Sequence, residues 1–304
     1  MRGQEIAKRA LEVALAGGHH LLMVGPPGSG KTSLGKRVPG LLPPLAADEA
    51  AEVGEIYARR HDSPPPDSRR PFRTPPPRTT ATALLGGGRG PTPGEVSLAH
   101  RGVLFLDELP LFRREALDGL RGPMDRGQVS LNGLGRARTF PARFILVGAM
   151  NPCPCGWRGD GRESCSCSDK QVARYLSPAS GALLDRMGLI VPVPRLSLKE
   201  LRSSAGESSE MVARRIAAAW AVQHERCGKH NAALDTVAVR LHCRLDTKAR
   251  ALLDRAFEVL GLTARAVTCV LKVARTIADL QGAESIRAAH LAEAIQYKGP
   301  SPLL

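Results

Sequence analysis

The chain has 304 residues, 43% hydrophobic but only 4% aromatic, enough for one large or two ordinary domains with mostly aliphatic cores. Its 43 Lys and Arg against 29 Asp and Glu give a formal charge of +14, which fits a polyanionic partner such as nucleic acid and equally fits simple solubility or the arginine-rich usage of a GC-rich genome. No apolar run approaches the ~18 residues of a membrane span, and the start MRGQEIAKRALEVALAGG is amphipathic rather than a signal peptide, so a membrane protein is disfavoured, a cytoplasmic one is expected, and the seven cysteines do not read as a disulfide framework.

Residues 4–16 place Ile6, Ala10 and Val13 at helical spacing, continued by Gly17, with Lys8, Arg9 and Glu12 elsewhere, which predicts an amphipathic helix. His19 and His20 then precede a strand, where packing or hydrogen bonding is the expected role. The strand, Leu21 to Val24, ends abruptly in Gly25-Pro-Pro-Gly-Ser-Gly-Lys-Thr32, the full GxxxxGK[ST] spacing. Glycines let backbone N–H groups curl around phosphate oxygens, Lys31 supplies a point charge to the β- and γ-phosphates, and the Thr32 hydroxyl can ligate Mg²⁺. The expected cradle for ATP is therefore Gly25, Pro26, Pro27, Gly28, Ser29, Gly30, Lys31, Thr32 and Ser33. A helix from Thr32 to about Val38 should follow, stopped by Pro39 and Gly40.

A short helix over Ala46 to Ala58 gives way to DSPPPDSRRPFRTPPPR, whose prolines argue against a regular element and favour extended chain. Arg69, Arg70, Arg73 and Arg78 within it either sit in a plain loop or carry a contact. Residues 84–96, rich in Gly and Pro, read as a mobile or tightly turned insertion.

Val103 to Leu106 is a second buried strand, delivering Asp107 and Glu108 at its C-terminal end. In an open parallel sheet that is the edge where ligands bind. There Asp107 would hold Mg²⁺ and Glu108 would act as general base on the attacking water. Leu111 to Met124 reads as a helix. Residues 127–140 read as a hairpin, with Val129 and Leu131 alternating, a turn signal at Asn132-Gly133, and Arg136 and Arg138 on one face. That face either touches a polyanion or is simply solvated. Phe144 to Met150 is a third strand, whose tip carries Asn151, suited to positioning a γ-phosphate and the lytic water.

Cys153-Pro-Cys155 and Cys165-Ser-Cys167 follow. Four thiolates in pairs could surround Zn²⁺ tetrahedrally, although C-x-C is tighter than the usual C-x₂₋₄-C. The competing reading is reduced free thiols in a surface loop. Cys227, Cys243 and Cys269 are scattered and read as ordinary thiols. Leu183-Leu-Asp-Arg186 precedes a strand over Leu189 to Val191, and Arg186 either bridges Asp185 or reaches a phosphate in a neighbouring subunit.

After Pro194 helices take over, with a boundary near 195–200. Residues 208–226 carry Val212, Ile216, Ala219 and Trp220 on a stripe, residues 247–260 carry Leu253, Ala256, Phe257 and Leu260, and residues 287–297 form a last short helix. In residues 264–280, Val267, Val270, Leu271, Ala274, Ile277 and Ala278 are apolar while Arg265, Lys272, Arg275 and Asp279 lie opposite on an expected solvated face. Arg265 opens its helix, where a cation opposes the dipole, so it reads as a residue held for a ligand.

Taken together, RGQEIAKRALEVALAGGHHLLMVGPPGSGKT, PGEVSLAHRGVLFLDELP, FPARFILVGAMNPCPCG, the later CSC, LLDRMGLIVPVPRL, ARAVTCVLKVARTIADLQG and HLAEAIQYK resemble the YifB/ComM family of magnesium-chelatase-like AAA+ ATPases across essentially the whole chain. The resemblance implies an α/β fold: an AAA+ P-loop core over residues 1–198 with a five-stranded parallel sheet flanked by helices, then an α-helical lid over 199–304. It implies ATP and Mg²⁺ as ligands, a ring-forming homo-oligomer of the hexameric kind, and DNA as the substrate of a motor, with a metal-chelatase ATPase subunit as the alternative. Asn151 matches the sensor 1 position, Arg186 the arginine given in trans to the γ-phosphate, and Arg265 the sensor 2 arginine. The insertion at 84–96 and the hairpin at 127–140 resemble the helix-2 insert and pre-sensor-1 hairpin that face the pore in related DNA motors. Members generally carry a Lon-protease-like domain before this ATPase, whereas Met1 here falls where the ATPase begins. FRTPPPRTTA stands where members commonly read FRAPHHTA, so Pro76 and Pro77 replace two histidines, and the hairpin reads VSLNGL instead of VTISRA.

Overall fold

A computed structural model of the chain describes residues 2–60, 68–133, 136–179, 181–202 and 206–298. Five strands form the central sheet: β1 (Leu21–Val24), β2 (Phe72–Arg73), β5 (Val103–Leu106), β8 (Ile145–Met150) and β9 (Leu189–Pro192), in the order β2-β5-β8-β1-β9. Between them come two small antiparallel pairs, β3 (Gly86–Gly87) with β4 (Thr92–Pro93), and β6 (Gln128–Gly133) with β7 (Arg136–Pro141). Every residue of β1, β5 and β8 is buried. A parallel sheet covered on both faces calls for such unbroken apolar runs, and that is why these strands stand out in the sequence. β5 and β8 run parallel in the register Val103↔Ile145 to Leu106↔Gly148, so the residues after each strand emerge at one edge.

Packing gathers the chain into two compact units, residues 23–186 and residues 1–22 with 187–304. The first unit carries the helices α2 (Lys31–Gly35), α3 (Ala47–Tyr57), α4 (Ala81–Leu85), α5 (Glu95–Leu98), α6 (Arg114–Gly119), α7 (Arg121–Arg126), α8 (Asp169–Leu176) and α9 (Gly181–Leu184). Several differ from the sequence expectation. The helix after the P-loop ends at Gly35, and Val38–Gly40 forms a separate 3₁₀ turn containing Pro39. The single helix expected over Leu111 to Met124 is two short ones, the second of which accommodates Pro123 in its first turn. Asn132 and Gly133 are not the hairpin turn: they pair with Ala137 and Arg136, so the ladder runs two residues further, and Leu134 and Gly135 lie outside the described residues. The insertion at 84–96 is built from α4, the β3–β4 pair and α5.

The proline-rich segment also contains a strand. β2 pairs with β5 through Phe72↔Val103 and Arg73↔Leu104, on the sheet edge where flanking prolines cost no ladder bonds. Two of its arginines have structural partners. Arg70 donates to the Pro43 and Arg101 carbonyls and to Glu49 at 2.5 Å, and Arg73 grips Glu95 at 2.6 and 2.9 Å. Residues 61–67 of the same stretch lie outside the described residues.

The second unit packs α1 (Glu5–Gly17) with α10 (Leu198–Arg202), α11 (Ser209–Cys227), α12 (Thr236–His242), α13 (Thr247–Leu260), α14 (Ala264–Leu280) and α15 (Ala288–Lys298). The long helices open on residues that satisfy their orphan N–H groups: Ser208, Asp246 and Thr263 each accept the amide three residues on. α1 faces inward with Ala7, Ala10, Leu11, Ala14 and Leu15, whereas Ile6 is exposed. Glu12 is buried, neutralised by Arg9 at 3.0 Å and Arg215 at 2.5 Å.

The polar face of α14 is not solvated as expected. Arg275 and Asp279 are buried, and Asp279 accepts from Arg226 at 2.7 and 2.8 Å, Arg275 at 3.0 Å and Asn231 at 2.8 Å. Asn231 continues to Thr276, which meets His19 at 2.8 Å. A buried carboxylate needs such partners, and the helical wheel alone does not reveal them. Phe257, expected in the core, is instead half exposed on α13.

Candidate active site

The loop between β1 and α2 turns on Gly28 and Gly30, at φ +72° and +98°, backbone that L side chains rarely adopt. Space around Gly28 is open, since a Cβ there would meet nothing within 4 Å. The Gly25 amide bonds the Met150 carbonyl at 3.1 Å, tying the start of the loop to the end of β8. Pro26 and Ser29 are buried, while Pro27, Thr32 and Ser33 are exposed.

Lys31 is buried at the mouth of this loop. Its ammonium donates to the Gly25 and Pro26 carbonyls at 2.7 and 2.8 Å, to Ser29 Oγ at 3.3 Å and to Asn151 Oδ1 at 3.1 Å. Burial pulls the Lys31 pKa down to about 8, against the attraction of Asp107. Thr32 Oγ1 donates to Asp107 Oδ2 at 2.6 Å, and the other Asp107 oxygen accepts the Glu108 amide at 3.0 Å. Glu108 has φ 53° and ψ 45°, left-handed backbone for a non-glycine residue, and its side chain is exposed. Such strain concentrates where a side chain must be aimed.

Three neighbouring strands thus deliver the P-loop, Asp107 with Glu108, and Asn151 to one sheet edge. A hydroxyl beside a carboxylate is a hard oxygen pair of the kind Mg²⁺ takes, so Thr32 and Asp107 fit that ion. Arg186 is placed differently. Its Nε lies 3.0 Å from both Asp125 oxygens, its Nη2 completes a bidentate pair, and its Nη1 donates to the Ala182 carbonyl at 2.6 Å. Arg265, the second residue of α14, is exposed in the other compact unit.

Cys153, Cys155, Cys165 and Cys167 converge, with their sulfurs all within 4.8 Å of one another. Two further residues that hold candidate site residues were not singled out in the sequence. Asp125, in the last turn of α7, grips Arg186. Tyr175 on α8 accepts the Asn151 backbone amide, and burial pushes its phenol up to about 12. A signal for α8 does exist: Ser168 and Gln171 form a capping box.

The family model described as magnesium chelatase, subunit ChlI, matches residues 1–201, and the one for the ChlI C-terminal part matches residues 206–298. The chain belongs to the magnesium chelatase subunit ChlI family. Within this AAA+ family it matches the YifB and ComM proteins. It is 44% identical to the uncharacterized protein YifB of Salmonella typhimurium over 307 residues, covering 99% of this chain and 60% of that protein. It is also 44% identical to the competence protein ComM of Haemophilus influenzae over 311 residues, with the same coverage. A magnesium-chelatase 67 kDa subunit of Chlorobaculum parvum is 28% identical over 203 residues, 62% of this chain and 25% of that protein. The chain spans about 60% of the length of the YifB and ComM relatives. The α/β architecture with a five-stranded parallel sheet and a helical C-terminal part is that of the ChlI-type AAA+ domain. Among the described residues, no helix is long and apolar enough to cross a membrane.

Proposed function

We propose that this chain is an ATP-hydrolysing motor portion that assembles into a ring in the cytoplasm and acts on DNA. The observation that carries the hydrolytic part is the convergence of Lys31, Thr32, Asp107 and Asn151 through direct hydrogen bonds at one sheet edge beside Glu108. Lys31 and the loop amides bind the phosphates of ATP, and Thr32 and Asp107 hold Mg²⁺, which supplies charge neutralisation to those phosphates. Glu108 accepts a proton from water as the water oxygen bonds the γ-phosphorus. The bond to the β–γ bridging oxygen breaks, and ADP leaves with that electron pair. Asn151 orients the γ-phosphate and the water. Arg186 acts on the ATP of a neighbouring subunit, and Arg265 takes the sensor 2 role that its position in the family motif implies. Residues 1–198 form the core and 199–304 the lid in this reading, and the two family models change over between residues 201 and 206.

DNA as the substrate is supported by the +14 charge, by the β6–β7 hairpin with exposed Arg138, and by the competence-protein name of one relative. The chelatase-subunit reading is favoured by the likeness to the Chlorobaculum subunit, but that match covers only 62% of this chain. Steady-state ATPase rates across protein concentration, with and without single-stranded and forked DNA, separate the two. A rate per chain that rises with both concentration and DNA is expected. A measurable rate indifferent to DNA, with no DNA bound at low salt, overturns the DNA part. Magnesium insertion into a porphyrin with chelatase partner subunits would establish the alternative.

A further inference from the structure

The segment from Asn151 to Tyr175 leaves the sheet at the proposed γ-phosphate position and returns to it, because Tyr175 accepts the Asn151 backbone amide. Between these ends lie the four clustered cysteines, which the hydrolytic mechanism does not use. Cys153 Sγ lies 3.4 Å from Cys155 Sγ and 3.6 Å from Cys165 Sγ, and Cys155 and Cys165 are also 3.6 Å apart. A disulfide requires about 2.05 Å, so these are not bonded sulfurs. Tetrahedral geometry with Zn–S bonds of about 2.3 Å places ligand sulfurs about 3.8 Å apart, close to all three separations.

The backbone around the cluster is shaped for thiolates. The Trp157 and Ser166 amides are directed at Cys155, the Cys167 amide at Cys165 and the Cys155 amide at Cys167. Such N–H···S bonds orient and stabilise metal-bound sulfur. Gly156, at φ +88°, makes the turn that brings the Trp157 amide back to Cys155. A Cβ on Gly156 would lie 2.5 Å from Cδ and 2.7 Å from Cγ of Pro27, so the cysteine loop presses directly on the nucleotide loop.

We propose that Cys153, Cys155, Cys165 and Cys167 form a structural tetrathiolate zinc site that braces Asn151 and Pro27 at the ATP pocket. The metal closes the loop from Cys153 to Cys167 and so fixes both the exit of β8 and the seat of Pro27. The site is a brace rather than a hydrolytic centre, because four protein thiolates leave no open position for water. The bracing role rests on the ATP reading above; the metal site does not.

The full chain, purified without chelator, is analysed for zinc, iron, copper and nickel. One zinc per chain is expected, together with loss of zinc in Cys155→Ser and Cys167→Ser. After metal removal under reducing conditions, Co²⁺ should give the intense thiolate charge-transfer and visible bands of a tetrahedral sulfur site, displaced by added Zn²⁺. Metal-free, folded protein with four freely reactive thiols overturns the site, and so does iron in place of zinc. Zinc removal tests the brace separately: ATP affinity should fall about tenfold or more in folded, zinc-depleted protein and return when Zn²⁺ is restored, as a misplaced binding loop predicts. Unchanged ATP affinity in folded, zinc-depleted protein overturns the brace, provided Lys31→Ala has shown that ATP binds at this loop.

Discussion

Thr32 and Asp107, 75 residues apart in the chain, meet hydroxyl to carboxylate at 2.6 Å. That contact joins the P-loop to the acidic end of β5 and places two hard oxygen donors at one point. Removing either donor should weaken the magnesium complex of ATP selectively. Thr32→Val and Asp107→Asn are each expected to reduce Mg²⁺-ATP affinity by about 10- to 100-fold, while affinity for ATP in chelator changes little. Titration with a fluorescent ATP analogue at varied Mg²⁺ checks this.

In the proposed reading, Lys31 links nucleotide binding to pH. Its ammonium, pulled down to about 8 by burial, loses charge as pH rises through that value. ATP affinity should therefore hold below pH 8 and decline above it, by at most about tenfold per pH unit. Stability should move the other way: between pH 8 and the ordinary 10.5 the unfolded chain binds the extra proton, so raising pH favours the folded state. Lys31→Ala should bind ATP about 100-fold more weakly and lose the pH dependence of affinity, measured by calorimetry from neutral to alkaline pH.

Glu108→Gln keeps the shape of the side chain and removes its basicity. Turnover is expected to fall by about 10²- to 10⁴-fold with ATP affinity retained, measured by single-turnover hydrolysis and equilibrium binding. Normal turnover would remove Glu108 as the base.

Arg186 is gripped by Asp125 within its own chain. Arg186→Ala should lower turnover by about 10³-fold or more while binding persists. Mixing it with Lys31→Ala should restore part of the rate, because in the proposed ring each variant supplies what the other lacks across a subunit interface. Failure of the mixture to exceed either variant alone would argue against action in trans.

The buried network of α14 predicts acid sensitivity. His19 is pushed down to about 3 from 6.5, chiefly by burial and then by Lys272. The unfolded chain takes up that proton first, so the stabilisation is full above about pH 6.5 and is lost progressively as pH falls toward 3. His19→Gln should flatten this part of the stability profile in denaturant melts. Asp279→Asn, which leaves Arg226 and Arg275 without their shared counter-charge, should cost about 3–5 kcal/mol at neutral pH.

Much of this site is legible in the sequence because its parts are local. The phosphate loop needs glycines and a lysine at fixed spacing, and a buried parallel strand needs four consecutive apolar residues, so Gly25 to Thr32 and Val103 to Glu108 announce themselves. Helices α1, α11, α13 and α14 are visible for the same reason: their apolar period and their caps lie within a few turns of chain. Partnership across the chain is not local. The pairing of β2 with β5 overrides the prolines around Phe72, and the partners Asp125, Arg226 and Asn231 decide what Arg186 and Asp279 do. A charge on a helix reads as solvated unless its counter-charge is known, and that counter-charge comes from another element. The amino-acid sequence by itself determined the fold class and the chemistry available at the sheet edge. Only tertiary structure decided which polar groups are buried together, because desolvation and hydrogen bonding depend on neighbours that chain spacing does not encode.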